Sequence, residues 1–553
     1  LFSKILIANR GEIAVRIIRT AREMGIATVA VYSEADRAAL HVALADEAYE
    51  IGPAPASQSY LNGDRLIECA RKACAEAVHP GYGFLAENAA FATSVVAAGL
   101  TWIGPHAGAI DAMGDKLRAR QAMRGANVPS VPGGLEPIAD VAGARAAAEK
   151  YGLPLALKAA AGGGGKGLRV ARSMDEVASA FESARREAKA YFKDDTIYAE
   201  HYLENPKHVE LQVLADKHGN VVHVGERDCS LQRRHQKVWE ETPAHISARL
   251  REAMREAGVR AAKAIGYDSV GTIECLVSGD AFYFLEMNTR IQVEHTITEM
   301  VSGLDLVREQ IRVAAGEPLG YGQDEISFRG FSIEGRVNAE DPAANFQAAP
   351  GTITAYREPG GLGVRVDSAA YAGWTIPPDY DSLVAKLIVW APTRDDALAR
   401  MRRALDEYAI EGVPTTLPLL RALCDNPEVA DASYGTATLE PFAATLQPAA
   451  IDRPRLPAPM AHVEARPTAP RLRTIRKRAK SSDGDDVHSP MHGLVVELTV
   501  GKGDTVSEGQ VVAIIEAMKM MNEVRAHKSG AVSAVHVAPG ATVESGSAII
   551  TLR

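Results

Sequence analysis

Glu516-Ala517-Met518-Lys519-Met520-Met521 sets one lysine among three methionines, at the joint between two matching stretches of sequence. Gly493, Val495, Val500, Gly503, Val506 and Gly509 recur as Gly530, Val532, Val537, Gly540, Val543 and Gly546, each 37 positions later. Self-similarity of this kind marks a duplicated supersecondary unit. Apolar alternation punctuated by glycine makes each half a set of short strands and turns. The joint falls at Lys519, so a tight turn is expected to hold its amine out in water. Methionines grouped on an exposed tip call for a partner that reads them.

Upstream lies Pro490-Met491-His492-Gly493. Together with Glu-Ala-Met-Lys-Met it resembles the biotinyl domain of biotin-dependent carboxylases. The resemblance implies that Lys519 carries amide-linked biotin, attached by a biotin protein ligase. The sister lipoyl domain has the same duplicated fold but an Asp-Lys-Ala type of turn, so Met-Lys-Met favours biotin.

A length of 553 residues suggests about three to four domains in all. Hydrophobic residues make up 46% and charged residues 24%, an ordinary globular balance. A net charge of -9 gives no nucleic-acid footprint. The five cysteines (Cys69, Cys74, Cys229, Cys275, Cys424) contain no C-x-x-C pair and suit a reducing cytosol. No apolar run reaches membrane-spanning length, and no basic leader precedes the first strand. A cytoplasmic protein is expected, without nucleic-acid or membrane partners.

From the N-terminus, Lys4 to Asn9, Gly11 to Met24 and Ala27 to Tyr32 read as strand, helix and strand, the pattern of a parallel sheet. Asn9-Arg10-Gly11-Glu12 falls at the strand-helix turn, where ligands often bind. His79-Pro80-Gly81-Tyr82-Gly83-Phe84-Leu85-Ala86-Glu87-Asn88 is a turn-rich segment that resembles the first domain of biotin carboxylases. Next, Leu155 to Lys158 reads as a strand before Ala161-Gly162-Gly163-Gly164-Gly165-Lys166-Gly167. Consecutive glycines let backbone N–H groups approach phosphate oxygens, and allow a lid to close. Neither Ser nor Thr follows Lys166, so this is not a Walker P-loop. It resembles the phosphate lid of ATP-grasp ligases. That resemblance puts Lys116, Lys158, Gly164, Gly165, Glu200, Leu203, His208, Gln232 and His235 around ATP. Residues 226–237 read as a short basic loop able to form a cationic pocket, with Lys237 implied on bicarbonate.

A metal site follows from spacing. Val270 to Val277 and Ala281 to Asn288 read as a hairpin around Ser278-Gly279-Asp280. A three-residue loop centred on Asp280 sets Glu274 opposite Glu286, with Asn288 on the same face. Two carboxylates and an amide oxygen suit Mg²⁺ or Mn²⁺ bridging ATP phosphates. Continued alternation turns Arg290, Gln292 and Glu294 toward that metal, where Arg can clamp an anion and Glu can take its proton. The phrase Glu286-Met287-Asn288-Thr289-Arg290-Ile291-Gln292-Val293-Glu294-His295 resembles biotin carboxylases and their carbamoyl-phosphate-type relatives. The resemblance makes Arg290, Glu294, Lys237 and Arg336 catalytic and puts Gln292 and Val293 on bicarbonate. Arg336 is implied to meet the ureido oxygen of biotin. Thr296 stands where many relatives have proline, and Asp379 where tyrosine is more usual.

Gln447 to Asp486 is rich in Pro, Ala and Arg and reads as a linker that tethers Lys519 near the ATP site. The expected order is a Rossmann-like domain (1–113), an ATP-grasp domain with its lid (114–330), a biotin carboxylase C-terminal domain (331–446), the linker (447–486) and a small all-β biotinyl, or hammerhead, domain (487–553). This is an α/β and α+β multidomain chain. The resemblance implies an acyl-CoA carboxylase α subunit of the acetyl-CoA/propionyl-CoA type. It uses ATP, bicarbonate and Mg²⁺ or Mn²⁺, and works as a homo-oligomer within a larger complex. No stretch is left for a carboxyltransferase, so a separate β subunit is expected to handle the acyl-CoA. Alternatives are the corresponding chain of a pyruvate or methylcrotonyl-CoA carboxylase, an ATP-grasp carboxylate-amine ligase that leaves Lys519 idle, and a non-catalytic carrier.

Overall fold

The computed structural model describes residues 1–134, 136–160, 167–192, 194–234, 236–446, 485–518 and 520–553. The chain opens with Lys4–Ile7 (β1), whose three apolar residues are fully buried. A run without polar alternation suits a strand covered on both faces, as in a parallel sheet. Helix Gly11–Glu23 (α1) follows, then Ala27–Ser33 (β2), Glu47–Gly52 (β3), Ala77–His79 (β4) and Thr101–Trp102 (β5). The strands pair in parallel, in the order β3-β2-β1-β4-β5, the expected Rossmann-like arrangement. At the β1–α1 turn Arg10 grips buried Asp36 at 2.6 Å, and Asn9 Nδ2 donates to the carbonyls of Pro80 and Tyr82. These residues brace the turn instead of facing the cavity described below.

Leu155–Ala159 (β6), Leu168–Ala171 (β7) and Ile197–His201 (β8) form a three-stranded sheet in the order β7-β6-β8. A larger antiparallel sheet has eight strands. It contains Lys207–Ala215 (β9), Val221–Arg233 (β10), Gln236–Thr242 (β11), Val270–Ser278 (β12), Ala281–Asn288 (β13) and Phe331–Asn338 (β14). Its order is β13-β12-β9-β10-β11-β14, followed by Leu383–Ala391 and Val364–Ser368. The expected division between residues 330 and 331 therefore falls inside one continuous sheet, where β14 pairs with β11. Residues 226–237, expected as a basic loop, instead belong to the β10–β11 hairpin, and Arg227 is completely buried. Charge density hid the strands, because the partners that neutralise it lie on other strands.

Residues 485–553 make two four-stranded sheets over a core that includes Val495, Val512, Ile515, Val532, Ile549 and Ile550. The two halves exchange short strands: Thr505–Val506 pairs with Gly530–Val535, and Thr542–Val543 with Gly493–Leu498. The repeated glycines recur for a reason. A Cβ on Gly493 would lie 2.5 Å from the Glu516 carbonyl oxygen, and one on Gly530 2.8 Å from that of Arg553, 37 residues later. Gly503, Gly509, Gly540 and Gly546 all have φ between +81° and +98°, where a side chain is strained. Strand Asp486–His488 opens this unit, so residue 486 belongs to the fold and not to the linker.

The methionines beside Lys519 depart from expectation. Lys519 lies outside the described residues, as do linker residues 447–484. Its neighbours Met518 and Met520 are only 4% and 8% exposed, and join the apolar cluster that contains Trp239, Val337 and Val384. The apolar tip finds its cover in the same chain instead of standing in water. No helix among the described residues is long and apolar enough to cross a membrane.

Candidate active site

Four adjacent strands carry one row of charge. Arg227 on β10 is the register partner of Glu210 on β9, Glu210 of Glu274 on β12, and Glu274 of Glu286 on β13. Partners in register hold their Cβ atoms about 4.5–5.5 Å apart. The expected opposition of Glu274 and Glu286 is thus present, but a different turn produces it. Ser278 pairs with Ala281 across a two-residue turn, and a register shift between Glu274 and Cys275 brings the two glutamates opposite each other. Asn288 pairs with Thr272, two residues further along the same face.

Three carboxylates in a row repel unless cations intervene. Lys237 Nζ supplies one, donating to Glu210 at 2.6 Å, Glu274 at 2.9 Å and Glu294 at 2.6 Å. Arg227 Nε donates to Glu210 at 2.6 Å. Asn288 Nδ2 and Gln292 Nε2 donate to Glu274 at 2.9 and 2.7 Å, and His208 Nε2 lies 3.1 Å from it. Burial works against ionising Glu274, but Lys237 and His208 outweigh it and hold the carboxyl well below its ordinary range. Glu294 behaves alike: burial opposes its charge, and Lys237, Arg336 and Arg227 prevail. Burial also disfavours charge on Lys237, yet its three glutamates push it well above its ordinary value. Lys237 is thereby a fixed cation, and Glu294 an ionised acceptor.

These residues line a cavity of about 530 Å³. The segment 289–294 was expected to alternate as a strand. It is instead irregular chain between β13 and the helix His295–Ser302, yet Arg290, Gln292, Val293 and Glu294 all reach the cavity. Arg290 Nε donates to Glu87 and its Nη2 to Asn288 Oδ1, both at 2.8 Å. Arg336 donates from Nη2 to Glu294 at 2.9 Å. At the other end Lys158 pairs with Glu200, which Arg120 also holds at 2.7 Å. His208, Gln232, Glu274, Glu286 and Asn288 complete the wall, and Met518 of the C-terminal β unit lines it too. Leu203 is not on this wall. Gly164, Gly165, His235, Lys519 and the side chain of Lys116 lie outside the described residues.

Four residues that hold the cavity's side chains were given no site role from sequence: Glu87, Arg120, Glu210 and Arg227. A signal existed for Glu210. In β9, His208, Glu210 and Gln212 alternate with Val209, Leu211 and Val213, and Glu210 and Gln212 are fully buried. A glutamate inside such a strand needs a cation beside it.

The paired acids, the amide of Asn288 and the adjoining cationic pocket fit a divalent metal held against phosphate by hard oxygen donors. Family profiles agree along the length of the chain. Residues 1–110 match the N-terminal domain of biotin carboxylase and residues 334–441 its C-terminal domain. Residues 115–321 match the ATP-binding domain of the carbamoyl-phosphate synthase large chain, and residues 485–552 the biotin-requiring enzyme domain. The biotin-dependent acyl-coenzyme A carboxylase alpha3 subunit of Mycobacterium leprae is 42% identical, over 100% of this chain and 98% of its own.

The chain belongs to the biotin carboxylase family.

One pyruvate carboxylase subunit from Methanothermobacter thermautotrophicus is 54% identical over 77% of this chain and 87% of its own. The biotin carboxylase domain of 2-oxoglutarate carboxylase from Hydrogenobacter thermophilus superimposes with a TM-score of 0.77 at 50% identity. It covers 80% of this chain and 98% of that one, and its structure was solved with MgADP, ADP and bicarbonate. Met518 of the segment that matches the biotin-requiring enzyme domain lines the same cavity as Glu274, Glu286 and Glu294.

Proposed function

We propose that this chain carboxylates biotin on its own Lys519 at the expense of ATP and bicarbonate, as the α subunit of an acyl-CoA carboxylase. The observation that carries the reading is the Lys237–Glu294–Arg336 cluster, with Met518 of the carrier turn on the same cavity wall. ATP would be held along Lys158, Glu200, His208 and Gln232, and the resemblance adds the glycine-rich stretch and Lys116, which lie outside the described residues. Glu274, Glu286 and Asn288 would hold Mg²⁺ or Mn²⁺, which supplies charge to the phosphates. Bicarbonate sits between Arg290, Lys237 and the Gln292–Val293 segment. Glu294 takes the bicarbonate proton on a carboxylate oxygen as the anion attacks the γ-phosphorus and ADP leaves. Arg290 clamps the anion, held in aim by Glu87 and Asn288. Arg336 presents its guanidinium to the arriving carrier. The carboxyphosphate so formed breaks its C–O bond to give CO₂ and phosphate, and the phosphate takes the ureido N–H proton; biotin, once attached, supplies the ureido nitrogen that takes up the CO₂.

The acyl-CoA assignment is supported by the end-to-end match to an acyl-CoA carboxylase α chain, carrier included. A separate carboxyltransferase β subunit would then select the acyl-CoA. A keto-acid acceptor is the second reading, favoured by the higher identity, over the carboxylase region, to a pyruvate carboxylase chain. The deciding experiment copurifies the full chain with its carboxyltransferase and offers acetyl-CoA, propionyl-CoA, pyruvate and 2-oxoglutarate with radiolabelled bicarbonate. Label in an acyl-CoA supports the first reading, and label in a keto acid replaces it with the second.

A further inference from the structure

Arg336 is shared. Its Nη2 donates to Glu294 at 2.9 Å, and its Nε donates to Glu240 at 2.6 Å. Glu240 is fully buried on β11, and its second oxygen has no hydrogen-bond partner among the described residues. One guanidinium therefore faces two carboxyl groups, one of them half satisfied and away from the reacting atoms. The other groups around Glu240 are few. Lys237 lies on its own strand, and Cys229 on β10. From β14, Glu334 is its register partner, and Thr296 in turn donates its hydroxyl to Glu334.

We propose that Glu240 is a positioning residue that sets the strength of Glu294 as a base, through competition between the two carboxyl groups for Arg336. This rests on the assignment of Glu294 as the bicarbonate base. When Glu240 is neutral, Arg336 commits its charge to Glu294 and makes it a weaker base. When Glu240 is ionised, it draws the guanidinium toward itself and Glu294 accepts a proton more readily. Burial pushes Glu240 up to about 7, with Arg336 opposing and the charge of Glu294 adding to the rise. The switch between these two states thus falls at working pH. The sequence hides this role, because Glu240-Glu241 reads as a charged pair on an ordinary strand.

The test measures kcat for bicarbonate-dependent ATP hydrolysis at saturating bicarbonate, from about pH 6 to about pH 8, in the full wild-type chain and in Glu240→Gln. The ratio of the two rates cancels the ionisation of bicarbonate itself. It is expected to rise about fivefold through neutrality as Glu240 loses its proton only in the wild type. Glu240→Asp is expected to restore a rise of its own, at a displaced midpoint, and this variant decides the matter should Glu240→Gln not fold. A ratio flat with pH, or a Glu240→Asp midpoint unmoved from wild type, overturns the proposal alone. Wild-type protein without bicarbonate-dependent hydrolysis at any pH overturns the proposed function as well.

Discussion

The cavity floor and the turn that reaches it are held by different forces. On the floor, Lys237 alone bonds three buried carboxylates, and Arg227 and Arg336 bond two of the same acids again. At the carrier turn, Met518 and Met520 lose their exposure to an apolar cluster. Removing one partner of a buried ion pair leaves an uncompensated charge and is costly. Apolar docking has no such directional demand, and two methionines can be withdrawn at modest cost. Chemistry that must stabilise developing charge needs the first kind of support. A carrier that must arrive and depart needs the second.

The sharpest way to separate the two regions is Lys519→Arg. Self-carboxylation and avidin binding should vanish, while bicarbonate-dependent ATP hydrolysis supported by free biotin should survive, as read by avidin blotting and phosphate release. Loss of both would tie the lysine to the floor and break the comparison. Glu294→Gln should do the converse. It leaves avidin binding intact and lowers bicarbonate-dependent hydrolysis roughly 10²–10⁴-fold, the range of a positioned base. Met518→Ala comes next. Loss of a buried methionine should weaken docking about tenfold, seen as slower self-carboxylation at an unchanged rate with free biotin.

The smallest effect concerns acid. Burial lowers His41 to about 4, His79 to about 3 and His223 to about 4. In the unfolded chain a histidine titrates near 6.5 (about that of a free side chain). Below that pH the unfolded state binds more protons, so stability falls as pH drops from about 6.5 toward about 4. Among the described residues none of the carrier's histidines is buried. Hydrogen exchange on the full chain should therefore quicken in the first domain, and at β10 around His223, between neutral pH and about pH 5, after correction for intrinsic exchange, with a lesser change at residues 512–515. Equal acceleration in both regions would remove this part of the contrast.

Legibility in sequence followed the range of the interactions. The carrier was readable because its repeat encodes local demands: Gly493 and Gly530 avoid matched carbonyls, and four further glycines adopt positive φ. The facing of Glu274 and Glu286 was readable because a hairpin is local, though a compensating register shift produced it. Glu210 and Arg227 were missed because each is meaningful only beside the other, on neighbouring strands. Glu87 and Arg290 meet across two domains, 203 residues apart in sequence. The burial of Met518 was unreadable for the same reason, since its cover comes from strands far earlier in the chain.

The central claim is that fixed charge on β9–β14 lets this chain load carbon dioxide onto its own carrier. Incubation of the biotinylated full chain with ¹⁴C-bicarbonate, ATP and Mg²⁺ tests it most directly. The account predicts acid-labile label on the protein that requires all three components and is blocked by avidin. ATP hydrolysis indifferent to bicarbonate, with no label on the chain, would contradict it.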